Sequence, residues 1–570
     1  MRPSSRTGAD RPPAGPPGTG AGGRSCVRTG DLGPYVEPPG SPKICGMATF
    51  GRFRAPGPGE RRWATLTVLC VTLLLISLDN TILNVALPSV VRSLGATSSQ
   101  LQWVVDAYAI FFAGLLLTLG ALGDRVGRKW VFMAGLVVFG GGSALAAWSP
   151  TPDRLTAARA VMGVGAAALM PCTLSILTNV FTGERDRARA IGIWSATAGL
   201  GVAIGPILGG FLLVHYWWGA VFLINVPIAA IGLAATAFLV PNSRNPLAKR
   251  ADPIGAVLSM AGFALLLWGI IEAPNRTWTS PEILAAMAGS AVILAGFVLW
   301  ERHVDHPMLP LQFFGNRRYS AAIVSLALVL FALLGLFFLV TQYLQFCLGF
   351  TPLQTGLGLA PIAVVLLVAA PSSVLLVRRF GTKPVVAGGL LLIAVGLGLL
   401  SGTTVHSAYR DAIPWFALIG VGVGLTLAPS TESVMGSLPV GDAGVGSATS
   451  DTSMQIGGAL GVGVLGTVLN LRYQAYLAPL LDHTSIPAGI HKLILGSLGG
   501  ALAVAERVPG GPGTALAQAA RRGFVSGMDL GLVVASVVVA VAGLVVLVAL
   551  PNRTRADDPA EAGAGLGRRA

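Results

Sequence analysis

Fourteen long apolar segments constrain the fold of this chain more than any other feature of its sequence. Each is near 20 residues long, from the first at 64–89 to the last at 526–550. A helix of about 20 residues crosses the roughly 30 Å hydrocarbon core of a bilayer, whereas a barrel strand needs only about 10 residues. Because backbone polar groups in lipid must be paired internally, we predict an all-α integral membrane protein with about 14 transmembrane helices.

Charge is scarce and unevenly placed. Only 11% of the residues are charged, against about 25% in soluble proteins, yet the net charge is +14. Basic residues in short loops mark the cytoplasmic side of a membrane protein, so we expect a multi-pass protein of the cell membrane with both termini in the cytoplasm. No basic and aromatic interleaving suggests nucleic acid. Three basic residues occur in each of the alternate linkers 121–130, 183–189, 242–252, 302–318 and 378–383, and none in 436–443.

The ends of the chain differ from its middle. Residues 1–60 contain 13 Gly and 11 Pro without an apolar period, which is typical of a disordered segment. We therefore predict a disordered cytoplasmic tail at 1–60 and a second cytoplasmic tail at 551–570. We also predict one long external loop at 471–523 that includes an amphipathic surface helix.

The segment from Gly192 to Gly210 is rich in glycine although it lies within an apolar span. Gly201, Gly205 and Gly209 are four residues apart and so form one smooth stripe on a helix. Such stripes let helices pack closely in lipid. Pro206 cannot donate a hydrogen bond within the helix, so a bend is expected there.

Charged residues inside the apolar spans are the candidate functional residues. An unpaired charge there costs roughly 2.5–3.5 kcal/mol, and a buried carboxylate can carry a proton because burial penalises its charged form. Asp79 lies in the first span, Asp106 in the second and Arg159 in the fourth, all in the predicted outer half of the bilayer. Asp79 is either a proton carrier or a structural hydrogen-bonding group. Because the three residues have similar depths, they could also share one site.

Two further acidic residues lie toward the ends of apolar spans. Glu432 lies in "LAPSTESVMG" toward a cytoplasmic end, where it either attracts a cationic substrate or caps a helix boundary. Glu301 lies at a span boundary, where we expect it to be solvated.

Four motifs together resemble the fourteen-helix drug/proton antiporter branch of the major facilitator superfamily. They are "LDNTILNVALPSV" around Asp79, "GALGDRVGRK" between spans two and three, "RAVMGVGAAALMP" beginning at Arg159, and the glycine-rich fifth span. The matching loop residues are Gly120, Asp124, Arg125, Gly127 and Arg128, and those of the fifth span are Gly192, Gly201, Gly205, Pro206, Gly209 and Gly210.

The resemblance implies two six-helix bundles, at 62–240 and 319–550, with an additional transmembrane hairpin at 253–300 between them. It further implies a proton-coupled exporter of hydrophobic or cationic small molecules that works by alternating access. Asp79, Arg159 and Asp106 would then be proton-coupling candidates, the loop a conformational gate, the fifth span a hinge and Glu432 a substrate-cavity residue. The implied partners are a small-molecule substrate, protons and the lipid bilayer, and we expect a monomer. No cofactor is expected, because the proton gradient would drive transport.

Other functions remain open at this point. The same machinery could export one endogenous metabolite, and a non-transporting membrane protein is a further alternative. An intramembrane enzyme would need clustered carboxylates or a nucleophile beside a base, which the sequence does not suggest. We expect no metal, and "GVGVLG" at 461–466 lies in an apolar span without the preceding strand that a dinucleotide site requires.

Overall fold

The computed structural model describes residues 58–244, 251–304, 306–309, 311–438, 443–481 and 486–550. Every secondary-structure element within these ranges is a helix. The predicted tails at 1–60 and 551–570 lie outside the described residues, except that residues 58–60 begin the first helix.

Within the described residues, the first half of the chain forms seven helices, which make six segments long and apolar enough to cross a membrane. They are α1 (Pro58–Leu94), α2 (Ser98–Val126), α3 (Arg128–Ala147), α4 (Pro152–Val180), α5 (Glu184–His215), α6 (Ala220–Leu223) and α7 (Asn225–Leu239).

In the described part of the remaining chain, two helices form a hairpin and nine more α-helices follow it. The hairpin is α8 (Pro253–Arg276) and α9 (Pro281–His303). The rest are α10 (Arg317–Gln342), α11 (Pro352–Gly358), α12 (Ala360–Phe380), α13 (Thr382–Leu400), α14 (Tyr409–Met435), α15 (Ala443–Leu481), α16 (Ala488–Gly496), α17 (Leu498–Arg507) and α18 (Gly511–Ala549). A short 3₁₀ helix, Leu311–Gly315, precedes α10, and a π-helical turn, Tyr343–Cys347, ends it.

Fourteen helical segments in the described residues are long and apolar enough to cross a membrane. The predicted all-α fold with fourteen spans is thereby confirmed. The largest difference is in the region 471–523, because α15 continues to Leu481 and α18 begins at Gly511. Polar residues such as Arg521 reduce the local hydropathy there, although the helix itself continues.

Helix starts follow local chemistry. The Thr97 hydroxyl accepts from the backbone of Gln100, whose side chain binds back to Thr97, and Thr351 and Gln354 repeat this capping box. Such boxes satisfy amide groups that a helix start would leave unpaired. Proline, which suits the first helical turn, begins α4, α8, α9 and α11.

The helices alternate in direction, so their linkers lie at two ends of the bundle. We call the end that holds the α2–α3 linker, with Arg128, the basic end, and the other the opposite end. The α2–α3 and α7–α8 linkers meet at the basic end, where the Arg128 amide donates to the Ser243 carbonyl at 2.9 Å. Helices α8 and α9 pack on each other, and α8 also packs on α2 and α15.

Candidate functional site

A buried ion pair joins α1 to α4. Arg159 Nη1 lies 2.5 Å from Asp79 Oδ2, and each side chain is only 1% exposed. The second carboxylate oxygen, Oδ1, accepts a hydrogen bond of 3.2 Å from Asn225 Nδ2 at the start of α7. Both oxygens of Asp79 are therefore bound, one by a cation and one by an amide.

The guanidinium of Arg159 is also held by α2. Its Nε donates to the Val104 carbonyl at 3.2 Å, and its central carbon lies 4.2 Å from the centroid of the Tyr108 ring. A cation over an aromatic face is favourable by about 0.5–2 kcal/mol. Removal of one member of a buried pair leaves the other charge uncompensated, at a typical cost of 3–5 kcal/mol. Protonation of Asp79 would cancel one charge of the pair and so weaken the link between α1 and α4.

The structure brings Asp79 and Arg159 together but places Asp106 elsewhere. Val104 and Tyr108 face Arg159, and Asp106, two residues from each, lies on the other side of α2 because each residue rotates by about 100°. Asp106 is 0% exposed and faces Gly463 of α15. Neither carboxylate oxygen of Asp106 has a hydrogen-bond partner in the part of the chain that the structure describes.

Sequence reasoning missed two residues of the pair's surroundings. Asn225 touches both Asp79 and Ser143, and Tyr108 covers the guanidinium. A lone amide in the apolar stretch "FLINVP" was a usable signal, since a polar group in lipid needs a partner. Nothing in the sequence distinguishes Tyr108 from a tyrosine that merely fills space.

The predicted gate loop is a tight turn that ties three helices of the first half together. Gly127 has φ = 129°, a conformation that favours glycine. Arg128 Nε bonds Asp124 Oδ1 at 2.7 Å, and Arg128 Nη1 donates to the Ser175 carbonyl of α4 at 3.1 Å. Gly120 packs on Pro171, also in α4, whereas Arg125 is exposed.

The glycines of α5 face two different neighbours. Gly201, Gly205 and Gly209 pack on α1, within the same group of helices. Gly210, rotated by about 100° from Gly209, instead meets the backbone of α11: a Cβ atom there would lie 2.5 Å from the Pro352 carbonyl oxygen. Gly192, nearer the basic end, is exposed and has no such neighbour within 4 Å.

The first and second halves of the fold are in close contact at the opposite end. Besides Gly210, the Pro206 carbonyl of α5 lies directly against Gly356 of α11. Gln345 Nε2, after α10, donates to the Val85 carbonyl of α1 at 2.9 Å. Gly499 of α17 packs between side chains of α1 and the π-helical turn. These contacts close the opposite end of the bundle.

The two remaining acidic candidates differ in exposure. Glu432 is exposed near the basic end of α14. Glu301, expected in solvent, is only 3% exposed. The expectation was wrong because the chain after α9 folds back over the helix end, where the Leu309 amide donates to Glu301 Oε2 at 3.0 Å.

Comparison with known proteins gives a consistent result. Residues 69–462 match the sequence profile of the Major Facilitator Superfamily. The chain is 36% identical over 509 residues to the multidrug efflux pump LfrA of Mycolicibacterium smegmatis, with 89% of this chain and 99% of that protein covered. It is 32% identical over 501 residues to the tetracenomycin C resistance and export protein of Streptomyces glaucescens, with 86% and 92% covered.

Solved structures agree on the fold. A bacterial homologue of the human lysosomal transporter Spinster superposes with a TM-score of 0.59 at 18% identity, covering 87% of this chain and 100% of that one. The peptide transporter POT superposes with a TM-score of 0.55 at 16% identity, covering 85% and 93%. The resemblance stated from the sequence motifs is confirmed.

Proposed function

Because this chain belongs to the Major Facilitator Superfamily, we propose that it exports hydrophobic or cationic small molecules across the cell membrane in exchange for protons. The chain is a membrane transporter and not an enzyme. Two relatives, a multidrug efflux pump and a tetracenomycin C resistance and export protein, support the substrate class. The observation that carries proton coupling is the buried pair of Asp79 and Arg159.

The pair is suited to a coupling role because its strength depends on one proton. With Asp79 ionised, the 2.5 Å contact holds α4 to α1. With Asp79 protonated, Arg159 keeps its charge and loses its counterion. The contact between α1 and α4 is then weaker, which favours a rearrangement of the bundle. Substrate that binds only one of the two arrangements would then be coupled to the proton, since a ligand shifts a conformational equilibrium by its differential affinity.

The direction and energy of the exchange are consistent with export. We place the basic end in the cytoplasm, with both termini there and the chain acting as a monomer. The closed opposite end then corresponds to a state that is sealed toward the outside. One proton driven by 100 mV supplies about 2.3 kcal/mol, which supports roughly a fifty-fold gradient of a neutral substrate at about 1.36 kcal/mol per decade.

Other predicted residues receive roles within this scheme. The loop from Gly120 to Arg128 would hold the first six-helix bundle rigid while it moves, and α5 would form the seal through its glycines. Glu432, exposed near the basic end, would attract cationic substrate from the cytoplasm. Asp106, the third proton-coupling candidate, faces Gly463 of α15 and not the ion pair.

Reconstituted vesicles test the coupling residue. In Asp79→Asn the side chain cannot ionise, so we expect substrate-driven proton movement, followed by an internal pH dye, to disappear while substrate binding persists. Asp79→Glu keeps the titrating group and should retain part of the flux. The exposed carboxylate Asp153 provides the matched control, because Asp153→Asn removes a charge without touching the pair. Proton movement that survives Asp79→Asn would refute the assignment.

Export of one endogenous metabolite by the same mechanism is the second candidate. Drug susceptibility of cells with and without the protein separates the two. A broad rise in resistance to chemically unrelated cations supports multidrug export, whereas an unchanged profile together with loss of a single exported compound supports the metabolite.

A further inference from the structure

A cavity of about 280 Å³ lies between the hairpin and the rest of the fold. Its walls come mainly from α2, α8, α9 and α15, with side chains such as Ile110, Phe263, Phe297 and Ile456, and the segment before α10 adds Leu309. Its volume is close to the lower end of the range for small-molecule sites, about 300–1,000 Å³. Neither Asp79 nor Arg159 is among the lining residues, so this cavity is separate from the ion pair.

One end of the cavity adjoins the carboxylate of Asp106. Ile110, one helical turn from Asp106, lines the cavity, and so does Leu267 of α8. A Cβ atom added at Gly463 would lie 3.4 Å from Asp106 Oδ2 and 2.9 Å from Leu267 Cδ2. The carboxylate and the Leu267 side chain are therefore neighbours. A movement of the Leu267 side chain would therefore join the cavity to a fully buried carboxylate without a hydrogen-bond partner in the described residues.

The other end of the cavity adjoins a second buried carboxylate. Leu309, which lines the cavity, donates its amide to Glu301 Oε2, while Glu301 Oε1 has no hydrogen-bond partner among the residues described. Within the lining, the Thr452 hydroxyl is likewise buried and unpartnered. No Lys or Arg lines the cavity in the described part of the chain. A buried carboxylate without a partner is costly in its ionised form, and a bound cation at either end would offset that cost.

We propose that this cavity is a binding site for an amphipathic organic cation, with the charge beside Asp106 and the apolar body between α2, α8, α9 and α15. A neutral lipid chain would fill the same volume but would leave the Asp106 carboxylate without a counterion. The hairpin supplies two of the four walls, so the site gives α8 and α9 a role in ligand binding. It goes beyond the proposed exchange mechanism and requires no proton step.

The test is equilibrium binding of ethidium to the purified full-length protein in nanodiscs, followed by fluorescence without a proton gradient. Ethidium is a planar aromatic cation, and its dealkylated form has the same ring system without the charge. We expect Asp106→Asn to weaken ethidium binding about tenfold or more, the equivalent of about 1.4 kcal/mol, and to leave binding of the uncharged form unchanged. Asp106→Glu, which keeps the charge, should bind within a few-fold of the wild type.

A cavity-filling variant tests the location independently of the charge. Ala113 lines the cavity, so Ala113→Phe should remove binding of both forms. Ala285 is exposed on α9, so Ala285→Phe adds the same side chain outside the cavity and should bind normally. If Asp106→Asn does not fold, Asp106→Glu and Ala113→Phe decide the question.

Three results would overturn the proposal: equal affinity of the charged and uncharged forms, unchanged ethidium binding in Ala113→Phe, or unchanged binding in a folded Asp106→Asn. Equal affinity would instead indicate a lipid-chain site. Because transport is not measured, a failure of the exchange mechanism would leave these outcomes unaffected.

Discussion

Gly210 is the position at which one added methyl group tests closure of the opposite end. A Cβ atom there would lie 2.5 Å from the Pro352 carbonyl oxygen and 2.6 Å from Leu353 Cα. Both are backbone atoms of α11 and cannot turn away as a side chain can. Since carbon atoms prefer a separation of about 3.5–4.0 Å, Gly210→Ala would require α5 and α11 to separate by roughly 1 Å.

The size of the effect follows from the cost of overpacking. Extra atoms in a well-packed region typically cost about 1–3 kcal/mol, which corresponds to about a 5- to 150-fold change in an equilibrium constant. The cost falls only on the state that is closed at the opposite end, because the contact with α11 is absent when that end opens. Gly192→Ala is the matched control, since nothing lies within 4 Å of its added methyl group and it gains the same helix propensity.

Distances between spin labels report the shift directly. Tyr216, after α5, and His406, before α14, are both exposed at the opposite end, and labels can be attached there once the five native cysteines are replaced. We expect Gly210→Ala to increase the population with long label separations and to lower the export rate. Gly192→Ala should match the parent in both measurements. An unchanged distance distribution in a folded, labelled Gly210→Ala protein would refute the argument that this contact maintains closure.

Two further substitutions test the ion pair and the gate loop separately. Arg159→Lys keeps a charge but loses the planar fork that reaches both Asp79 and Val104, so the initial export rate should fall about tenfold. The control Arg154→Lys, at an exposed position, should leave the export rate unchanged. Equal rates in the two variants would show that charge alone suffices. Gly127→Ala places a side chain at φ = 129° and should lower the free energy of unfolding by about 1–3 kcal/mol, seen as a lower Tm. Gly183→Ala, at φ = −73°, is the control, and equal Tm values would contradict the strain.

Much of the fold could be predicted because the bilayer imposes it. The lengths of the apolar segments predicted the helices, and the basic linkers predicted that successive helices alternate in direction. The ends were less predictable where a helix continues past the hydrocarbon. Arg521 and Arg522 lower the hydropathy of the first part of α18, so a loop was predicted there. In the structure, Arg521 Nε donates to the Phe346 carbonyl at 3.0 Å and holds this part of the helix at the opposite end.

The candidate site was only partly predictable. The sequence indicates how deep a residue lies along its helix, but it does not indicate which neighbouring helix the side chain faces. Asp79, Arg159 and Asp106 have similar predicted depths, and the sequence left a shared site open. The structure separates them by helix rotation: Arg159 reaches the Val104 face of α2, and Asp106 lies on the other face. The same reasoning applies to α5, where Gly209 and Gly210 are adjacent in sequence yet face α1 and α11 respectively.

The contacts between α5 and α11 at the opposite end are backbone to backbone, and this bears on how the molecule can move. Gly210 meets the backbone at Pro352 and Leu353, and Gly356 meets that at Pro206. Backbone surfaces without side chains between them cannot slide gradually by changing rotamers, since packed interfaces have discrete arrangements rather than a continuous range. We therefore expect closure there to be an all-or-none contact between α5 and α11. In the proposed mechanism, a change of charge at the Asp79–Arg159 pair would then need only to shift the balance between two states, which a coupling of a few kcal/mol can do.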